Sequence, residues 1–590
     1  MEFKLLEEVI EGITIDLNVL KRNSEPYSML LYQHEGILHA TDERIGNMTD
    51  SSIKLASFFN LLKIKNVDFG LIPEYCCPFN SISEIIKDNR KWPSSKSLWT
   101  IGMESISINE LTTFVNGLPQ GTICYYDNNV LDVAKNFLDP LIYLFKGVRH
   151  GQEGEQLIIL IQFKNLHMGV WSGGDIERDN IIPGNEIYVL RNDERSVHLM
   201  TLICSEAMNL NIQFDAEYQR KFRWGDSPFL VLNPQVNPGP THSNFLGFRN
   251  FVLNNQRTEV VGLNWNSNSM LGTHDLISSG SSRSGIYTRS TEVNFKNLKR
   301  IKENHKKGMY YYFYGIDRHA FLLNSKAHAF LIQNTPVHIN AGVMQQQMRN
   351  GPHLISSYLF DDQDQLQEVN ELSDSHIDYL TSVGCTNDFL LSPENCIIEK
   401  ELLTCLSTGE VFGKQSINWS EVNNIWSFKS TESSDISRRI TVGEDLNDES
   451  TRLRNRYVDF IEILGTEILK NPDFLPDSLS NLKTQTLDLG YSKELDPSGE
   501  KLVRLQYFRC NLKNIDGNMV WATVCYVGTA TDDQIGRTFK ALQELFDFNS
   551  KNRERVVVFY KRKGKYHAKS SDNSNRINEV NVGSENSFLK

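Results

Sequence analysis

The sequence has no long hydrophobic run. Across 590 residues, the longest apolar stretches, such as LIILI at 157–161, are of strand length. A bilayer span needs roughly 18 apolar residues, so no membrane partner is expected. Cysteine is also sparse. There are nine, at positions 76, 77, 124, 204, 385, 396, 405, 510 and 525, with no Cys-x-x-Cys pair. An odd number at this density argues against a disulfide framework and a zinc ribbon. A cytoplasmic chain with reduced thiols is the expectation, and in such a chain a cysteine in the right setting can be a nucleophile. The N-terminal stretch MEFKLLEEVIEGITIDLNVLKRN carries acids inside its apolar pattern and has no h-region, so it does not read as a signal peptide. Positive charge is not in excess: 61 Lys and Arg stand against 73 Asp and Glu, a net charge of -12. The chain as a whole is therefore no nucleic-acid coat, although local basic patches can still bind polyanions. P-loop, GxGxxG, HExxH and helix-turn-helix signatures are missing, as are internal repeats. The 14 histidines include no close pair at metal-binding spacing. Nothing in the pattern calls for a metal or an organic cofactor.

What is present is ordinary globular material. Hydrophobic residues make up 40% and charged residues 23%. The length is a soft prior for two to four domains. Residues 1–24 read as an amphipathic helix, with Leu5, Leu6, Val9, Ile10 and Ile13 at helical spacing. From Tyr27, short apolar runs alternate with helical patterns. Strands are expected near 120–127, 157–163, 187–190, 197–204, 228–232, 259–264, 309–315 and 319–333. Helices are expected at 53–65, 129–146, 205–222 and 243–256. Continuous apolar strands alternating with helices indicate sheets covered on at least one face. The chain turns polar and acidic around 345–375, and its DDQDQ cluster at 361–365 reads as solvated linker. Residues 427–450 read as a flexible loop. A helix at 451–470, strands near 503–510, 518–527 and 555–561, and a helix at 532–546 make a smaller α+β unit. The expected organisation is an N-terminal helix at 1–24, a main domain at 25–345, a linker and irregular region at 346–450, an α+β domain at 451–567 and a disordered tail at 568–590.

Three strand ends carry chemistry. Glu74 follows an apolar strand in LIPEY, Lys164 ends LIILIQFK, and Cys204 ends HLMTLIC. Singly, each has a plain reading as a core thiol or a paired charge. Together, at the carboxyl ends of buried strands where α/β sites gather, they form a coherent trio. The thiolate is the nucleophilic form of cysteine. A carboxylate can take its proton. An ammonium can lower the thiol pKa and stabilise an oxyanion. Backbone amides just after the cysteine, from Ser205 onward, would add a second oxyanion donor. This chemistry suits attack on an amide carbonyl or nitrile carbon.

These strings, IPEYCCP (72–78), IQFKNLHM (161–168) and LICSEAMN (202–209), resemble those of the nitrilase superfamily of carbon–nitrogen hydrolases. The later block SPFLVLNPQVNPGPTHSNFLGFRNFVLNNQRTEVVGLNWN (227–266) is similar to the family's strand, proline turn, helix and strand ending in Asn-Trp. The resemblance covers roughly residues 25–340. It implies a four-layer αββα sandwich, here followed by a smaller α+β C-terminal region. It implies Glu74 as general base, Lys164 as oxyanion stabiliser and Cys204 as nucleophile, acting through a thioester. Glu177 resembles a second glutamate that supports the lysine. Asn264 and Trp265 fall where the family lines its pocket, and His167 lies beside the lysine motif. Hydrolysis of a small-molecule amide or nitrile and a homo-oligomer are implied in the same way. The segment after Cys204 departs from the commoner aromatic-acid form, and 80–118 includes inserted material, which leaves the substrate open. A second reading is a nitrilase-like effector or scaffold of a bacterial antiphage system. It would act with a protein or nucleic-acid partner through the C-terminal region, whose stretch 551–569 holds eight Lys or Arg and one Glu. The plain reading of that stretch is a strand edge protected by lysine.

Overall fold

The computed structural model describes residues 1–573 other than 23–24, 168–173, 241, 256, 273–276, 280–283, 290–297, 315–317, 336–350, 373–374, 394, 396, 412–428, 431–437, 441–447, 492–509 and 545–553. The chain divides into two units. The first comprises Met1–Phe295, Glu303–Tyr311 and Asp317–Leu372, and the second Lys296–Lys302, Tyr312–Ile316 and Ser373–Lys590.

The first unit is built on two large sheets. One runs, neighbour by neighbour, through Glu2–Leu5, Glu186–Leu190, His198–Thr201, Phe229–Pro234, Thr258–Leu263, Gly285–Arg289 and Arg318–Leu323. The other runs through Leu366–Val369, His353–Phe360, Ala329–Asn334, Tyr27–Tyr32, Phe69–Cys77, Leu98–Met103, Pro140–Arg149, Gln156–Phe163 and Ile123–Tyr126. The parallel strands His198–Thr201, Phe229–Pro234 and Thr258–Leu263 are buried along their whole length. So is Phe69–Cys77. Strands covered on both faces read as unbroken apolar runs, which is why these were legible in the sequence.

The two sheets touch and are hydrogen-bonded to each other. Gln162 Nε2 donates to the Thr201 carbonyl at 3.0 Å, and Asn334 Nδ2 donates to Glu259 Oε1 at 2.7 Å. Helices lie against them. The helix Ser52–Ile64 buries Leu55, Phe58, Phe59 and Leu62. Its Phe58 meets Tyr32 at 4.9 Å and Phe59 meets Trp99 at 5.7 Å, ring to ring, against the second sheet. The helix Ser243–Leu253 buries Phe245, Phe248, Val252 and Leu253 and contacts the strand Thr258–Leu263 of the first sheet.

Four expectations are corrected. Residues 1–24 are not one helix. Glu2–Leu5 is a strand paired in parallel with Glu186–Leu190, followed by one helical turn, Leu6–Val9, and a short strand at Ile13–Thr14. Phe3 and Leu5 are buried in alternation, a period of two, and Gly12 turns the chain with φ +69°. The expected helix at 129–146 is a short 3₁₀ turn, Asn128–Asp132, and then the strand Pro140–Arg149. Proline resists a helix interior, and LIYLF packs as an antiparallel partner of Gln156–Phe163. The helix expected at 205–222 is three short pieces, Cys204–Asn209, Leu210–Gln213 and Ala216–Lys221. Asp215 starts the last of them by capping the amides of Glu217 and Tyr218. The linker placed at 346–450 is folded in good part. His353–Phe360 pairs with Ala329–Asn334 and with Leu366–Val369, extending the second sheet. The acidic DDQDQ cluster is its hairpin turn: Asp361 Oδ1 accepts from the amides of Gln363 and Gln365, and Asp364 takes φ +56°. The tail beyond 573 and most of 427–450 lie outside the described residues.

The second unit is a small α+β body. Thr523–Tyr526 pairs in parallel with Val556–Arg562, which pairs antiparallel with Lys565–Lys569. The helices Ile397–Thr408, Asp448–Glu462 and Asp532–Glu544 belong to it, and the first packs on Thr523–Tyr526. Buried Asn511 bonds to Ser407 Oγ and to both backbone groups of Val524.

Candidate active site

The first unit gathers its buried charge at neighbouring strand ends. Glu74 lies near the end of Phe69–Cys77, Lys164 directly follows Gln156–Phe163, and Cys204 opens the 3₁₀ turn after His198–Thr201. None of the three is more than 1% exposed. Lys164 Nζ donates to Glu74 Oε1 at 2.5 Å and also to Glu177 Oε1. Glu74 Oε2 accepts from the Val236 amide at 2.8 Å, while the Cys204 thiol faces the Val236 carbonyl at 3.7 Å. One peptide residue thus holds both the carboxylate and the thiol.

The backbone is strained at two of these points. Tyr75 has φ +52° and Cys204 φ +42°, both left-handed and neither a glycine. Such conformations cluster where a site dictates them. At Tyr75 the strand loses its register with Leu98–Met103 between Ile72 and Cys77. That bulge re-aims the Glu74–Tyr75 pair, and the Tyr75 hydroxyl donates to Glu177 Oε1 at 3.0 Å.

Glu206 ties two of the strand ends together. Its Oε1 accepts from the Asn165 amide at 2.7 Å and its Oε2 from the Ile203 amide at 2.7 Å. The residue after the lysine and the residue before the cysteine are therefore joined by one carboxylate. Burial raises Glu206 to about 7, against the pull of Asn165.

The electrostatics follow from burial. It pushes the Cys204 thiol well above its ordinary value, and Glu74 adds to that while Lys164 opposes it. Burial also raises Glu74, with Lys164 pulling the other way. For Lys164, burial works against the charge, but Glu177 and Glu74 outweigh it and hold the ammonium firmly protonated. A third acid, Asp139, was not singled out from the sequence. It precedes Pro140–Arg149, and its carbonyl accepts the Lys164 amide at 2.9 Å. Its Oδ2 lies 3.8 Å from Lys164 Nζ. Carboxylate oxygens of Glu74, Asp139 and Glu177 all fall within 4.8 Å of one another. Three such oxygens could hold a metal ion, and the cation that stands among them is the lysine ammonium.

The remaining sequence-predicted residues divide. Ser205 follows Cys204 in the turn and its hydroxyl donates to the Leu166 carbonyl. Asn264 ends up as a clamp: its Oδ1 accepts from the Asn237 amide at 3.0 Å and its Nδ2 donates to the Asn237 carbonyl at 2.7 Å. Trp265 Nε1 donates to the Glu74 carbonyl at 2.8 Å, and its ring stands edge-on to His34 at 4.6 Å. It braces the glutamate from behind. His167 is exposed, apart from the buried group. Sequence reasoning missed Asp139, Tyr75, Val236 and Glu206. The first had a signal, since a strand at 140–149 would have placed it opposite Lys164.

Two cavities of about 380 Å³ each lie elsewhere, one between the helices Ser52–Ile64 and Phe79–Lys87 and one beside Phe79–Lys87 and Ile108–Asn116. None of the buried acids, the lysine or Cys204 lines them.

No family model matches the chain, and no curated protein does. Solved structures do. An amidase from Nesterenkonia sp. is 12% identical, with 47% of this chain and 84% of that one covered and a TM-score of 0.24. A CN-hydrolase superfamily protein from Xanthomonas campestris, with an arsenic adduct in its active site, is 10% identical over 44% of this chain and 82% of that one, with a TM-score of 0.26. Over somewhat less than half its length, the chain is similar to solved amidases and hydrolases of the nitrilase superfamily.

Proposed function

We propose that the first unit is a four-layer αββα sandwich of the nitrilase type, and that it hydrolyses a non-peptide carbon–nitrogen bond through a cysteine thioester. The observation that carries this reading is the shared anchoring of Glu74 and Cys204 on Val236, with Lys164 bonded to the same glutamate in a group closed to solvent.

The chemistry runs as follows. Glu74 takes the thiol proton of Cys204 as the sulfur attacks the substrate carbonyl carbon. The C=O π pair moves onto oxygen. The Lys164 ammonium and an amide N–H of the turn after Cys204 receive that oxyanion, since the first amides of a helical turn have no acceptor within it. Glu74 then gives its proton to the leaving nitrogen, the C–N bond breaks and ammonia or an amine departs. A water, deprotonated by Glu74, attacks the thioester, and the C–S bond breaks to release a carboxylic acid and restore the thiol. Proton transfer from thiol to carboxylate leaves the net charge of the buried group unchanged, so a raised thiol pKa at rest is compatible with turnover.

The test is ammonia release by the full chain on a panel of small primary amides and nitriles. Cys204→Ala is expected to abolish it. Glu74→Gln and Lys164→Ala are each expected to lower kcat by about 100-fold or more. Ammonia release that survives Cys204→Ala would sink the proposal.

A further inference from the structure

The mechanism above gives no task to Asp139, a buried acid beside the lysine. Asp139 is 1% exposed, and among the described residues no N–H or O–H donor reaches its Oδ2. Its neighbours are Lys164 Nζ at 3.8 Å and the carboxylates of Glu74 and Glu177. Among the described residues, Tyr75 and Cys204 also face the cluster, Glu206 senses its lysine, and the Tyr75 hydroxyl already donates to Glu177. Three carboxylates against one ammonium would leave two negative charges in excess, enclosed in protein. An uncompensated buried charge costs several kcal/mol, and groups in that position take up a proton instead. The proton has one plain location. Glu74 already has a donor on each oxygen, Lys164 on Oε1 and the Val236 amide on Oε2, which favours its ionised form. Glu177 has donors in Lys164 and Tyr75. Among the described residues of this cluster, the buried carboxyl oxygen without a hydrogen-bond donor is Asp139 Oδ2.

We propose that Asp139 carries the cluster's one proton and turns it toward Glu74, so that Asp139 acts as a positioning residue that holds Glu74 ionised as the single proton acceptor for Cys204. This deepens the hydrolase reading and rests on it for the role of Glu74. The two carboxyls titrate as a coupled unit. Burial first and Glu74 second push Asp139 well above the ordinary carboxylate range, in the same direction as the geometry. The aspartate reaches this place through backbone register: Pro140 stands opposite Phe163 across the antiparallel pair, so Asp139 stands opposite Lys164.

The experiment is infrared difference spectroscopy on the substrate-free full chain at pH 7, with ¹³C-labelled aspartate to mark aspartyl carbonyls. A C=O stretch of a protonated aspartyl carboxyl, distinct from carboxylate bands, is expected in the wild type. It should vanish in Asp139→Asn. In Glu74→Gln it should shift in frequency, because the group facing that proton changes from a carboxylate to an amide. No such band in the wild type, or a band unchanged in Asp139→Asn, overturns the proposal. A band of unaltered frequency in Glu74→Gln overturns the placement of that proton against Glu74. The wild-type spectrum needs no variant to fold. It also needs no turnover, so a band present together with ammonia release by Cys204→Ala would reject the hydrolase reading while leaving the proton on Asp139.

Discussion

At the residue scale, the site depends on a few carboxylates whose protonation differs with their surroundings. Glu206 is the clearest case. It is buried, raised to about 7 from 4.5, and it joins the Lys164 end to the Cys204 turn. A carboxyl whose folded pKa lies above its unfolded value binds more protons when folded. Stability from this group is therefore full below about 4.5 and falls as pH rises through about 7. The shift corresponds to about 3 kcal/mol. Urea denaturation of the wild type and Glu206→Gln across this range should show the wild type losing ground to the variant by that order as pH rises. The variant starts lower at acid pH, because the Gln amide turns an N–H toward one of the two backbone donors. Parallel pH curves for the two proteins would contradict the assignment. The residues legible in the sequence were those at the ends of unbroken apolar strands, Glu74, Lys164 and Cys204. Asp139 and Val236 were hidden because their positions depend on register and on contact between sheets, which a linear pattern does not carry. Asn264 and Trp265 were expected as pocket-lining residues, and their geometry is that of braces, Asn264 on Asn237 and Trp265 behind Glu74.

At the element scale, the site depends on how closely strands approach. A Cβ on Gly102 would lie 2.1 Å from the Pro73 carbonyl oxygen and 2.8 Å from Glu74 Cα. Both are backbone atoms and cannot swing aside. Gly102→Ala is expected to displace the Glu74 bulge and to destabilise the unit by about 1–3 kcal/mol, the usual range for overpacking. Ammonia release should fall further than stability explains. Gly184 plays the same part behind Lys164, where a Cβ would come 2.4 Å from the Phe163 carbonyl. Calorimetry together with amide turnover checks both variants, and a Gly102→Ala protein of unaltered stability and rate would show that the close approach is not required. This scale also explains the main misreading. The stretch 129–146 contains apolar residues compatible with either period, and Pro140 was the sign of a strand start. The hairpin His353–Phe360 to Leu366–Val369 was hidden by its acidic turn. Polarity at 361–365 marks a tight turn at the sheet edge, where solvent and strand chemistry coincide.

At the scale of the whole molecule, the missing features set the frame. Among the described residues no helix is long and apolar enough to cross a membrane. The basic stretch near the end is a hairpin, Val556–Arg562 and Lys565–Lys569, with its outer strand at the edge of a three-stranded sheet. Its charges are partly paired: Arg562 bonds to Asp532, and Lys569 stands over the Phe539 ring at 5.7 Å. Edge strands carry lysine to discourage pairing with other chains. Replacing Lys563 and Lys565 by Ser is therefore expected to raise concentration-dependent association, read by light scattering. If association is unchanged and binding to single-stranded nucleic acid at low salt is lost instead, the hairpin serves a polyanion.

The central claim is that Cys204 forms a covalent acyl intermediate. The direct measurement is acid-quenched peptide mapping by mass spectrometry, taken during turnover of whichever amide in the panel releases ammonia fastest. The account predicts that the tryptic peptide containing Cys204 gains the mass of the substrate's acyl group, that hydroxylamine removes it, and that the other eight cysteines stay unmodified. Turnover with the acyl group on another residue, or with no covalent adduct at early times, would contradict it.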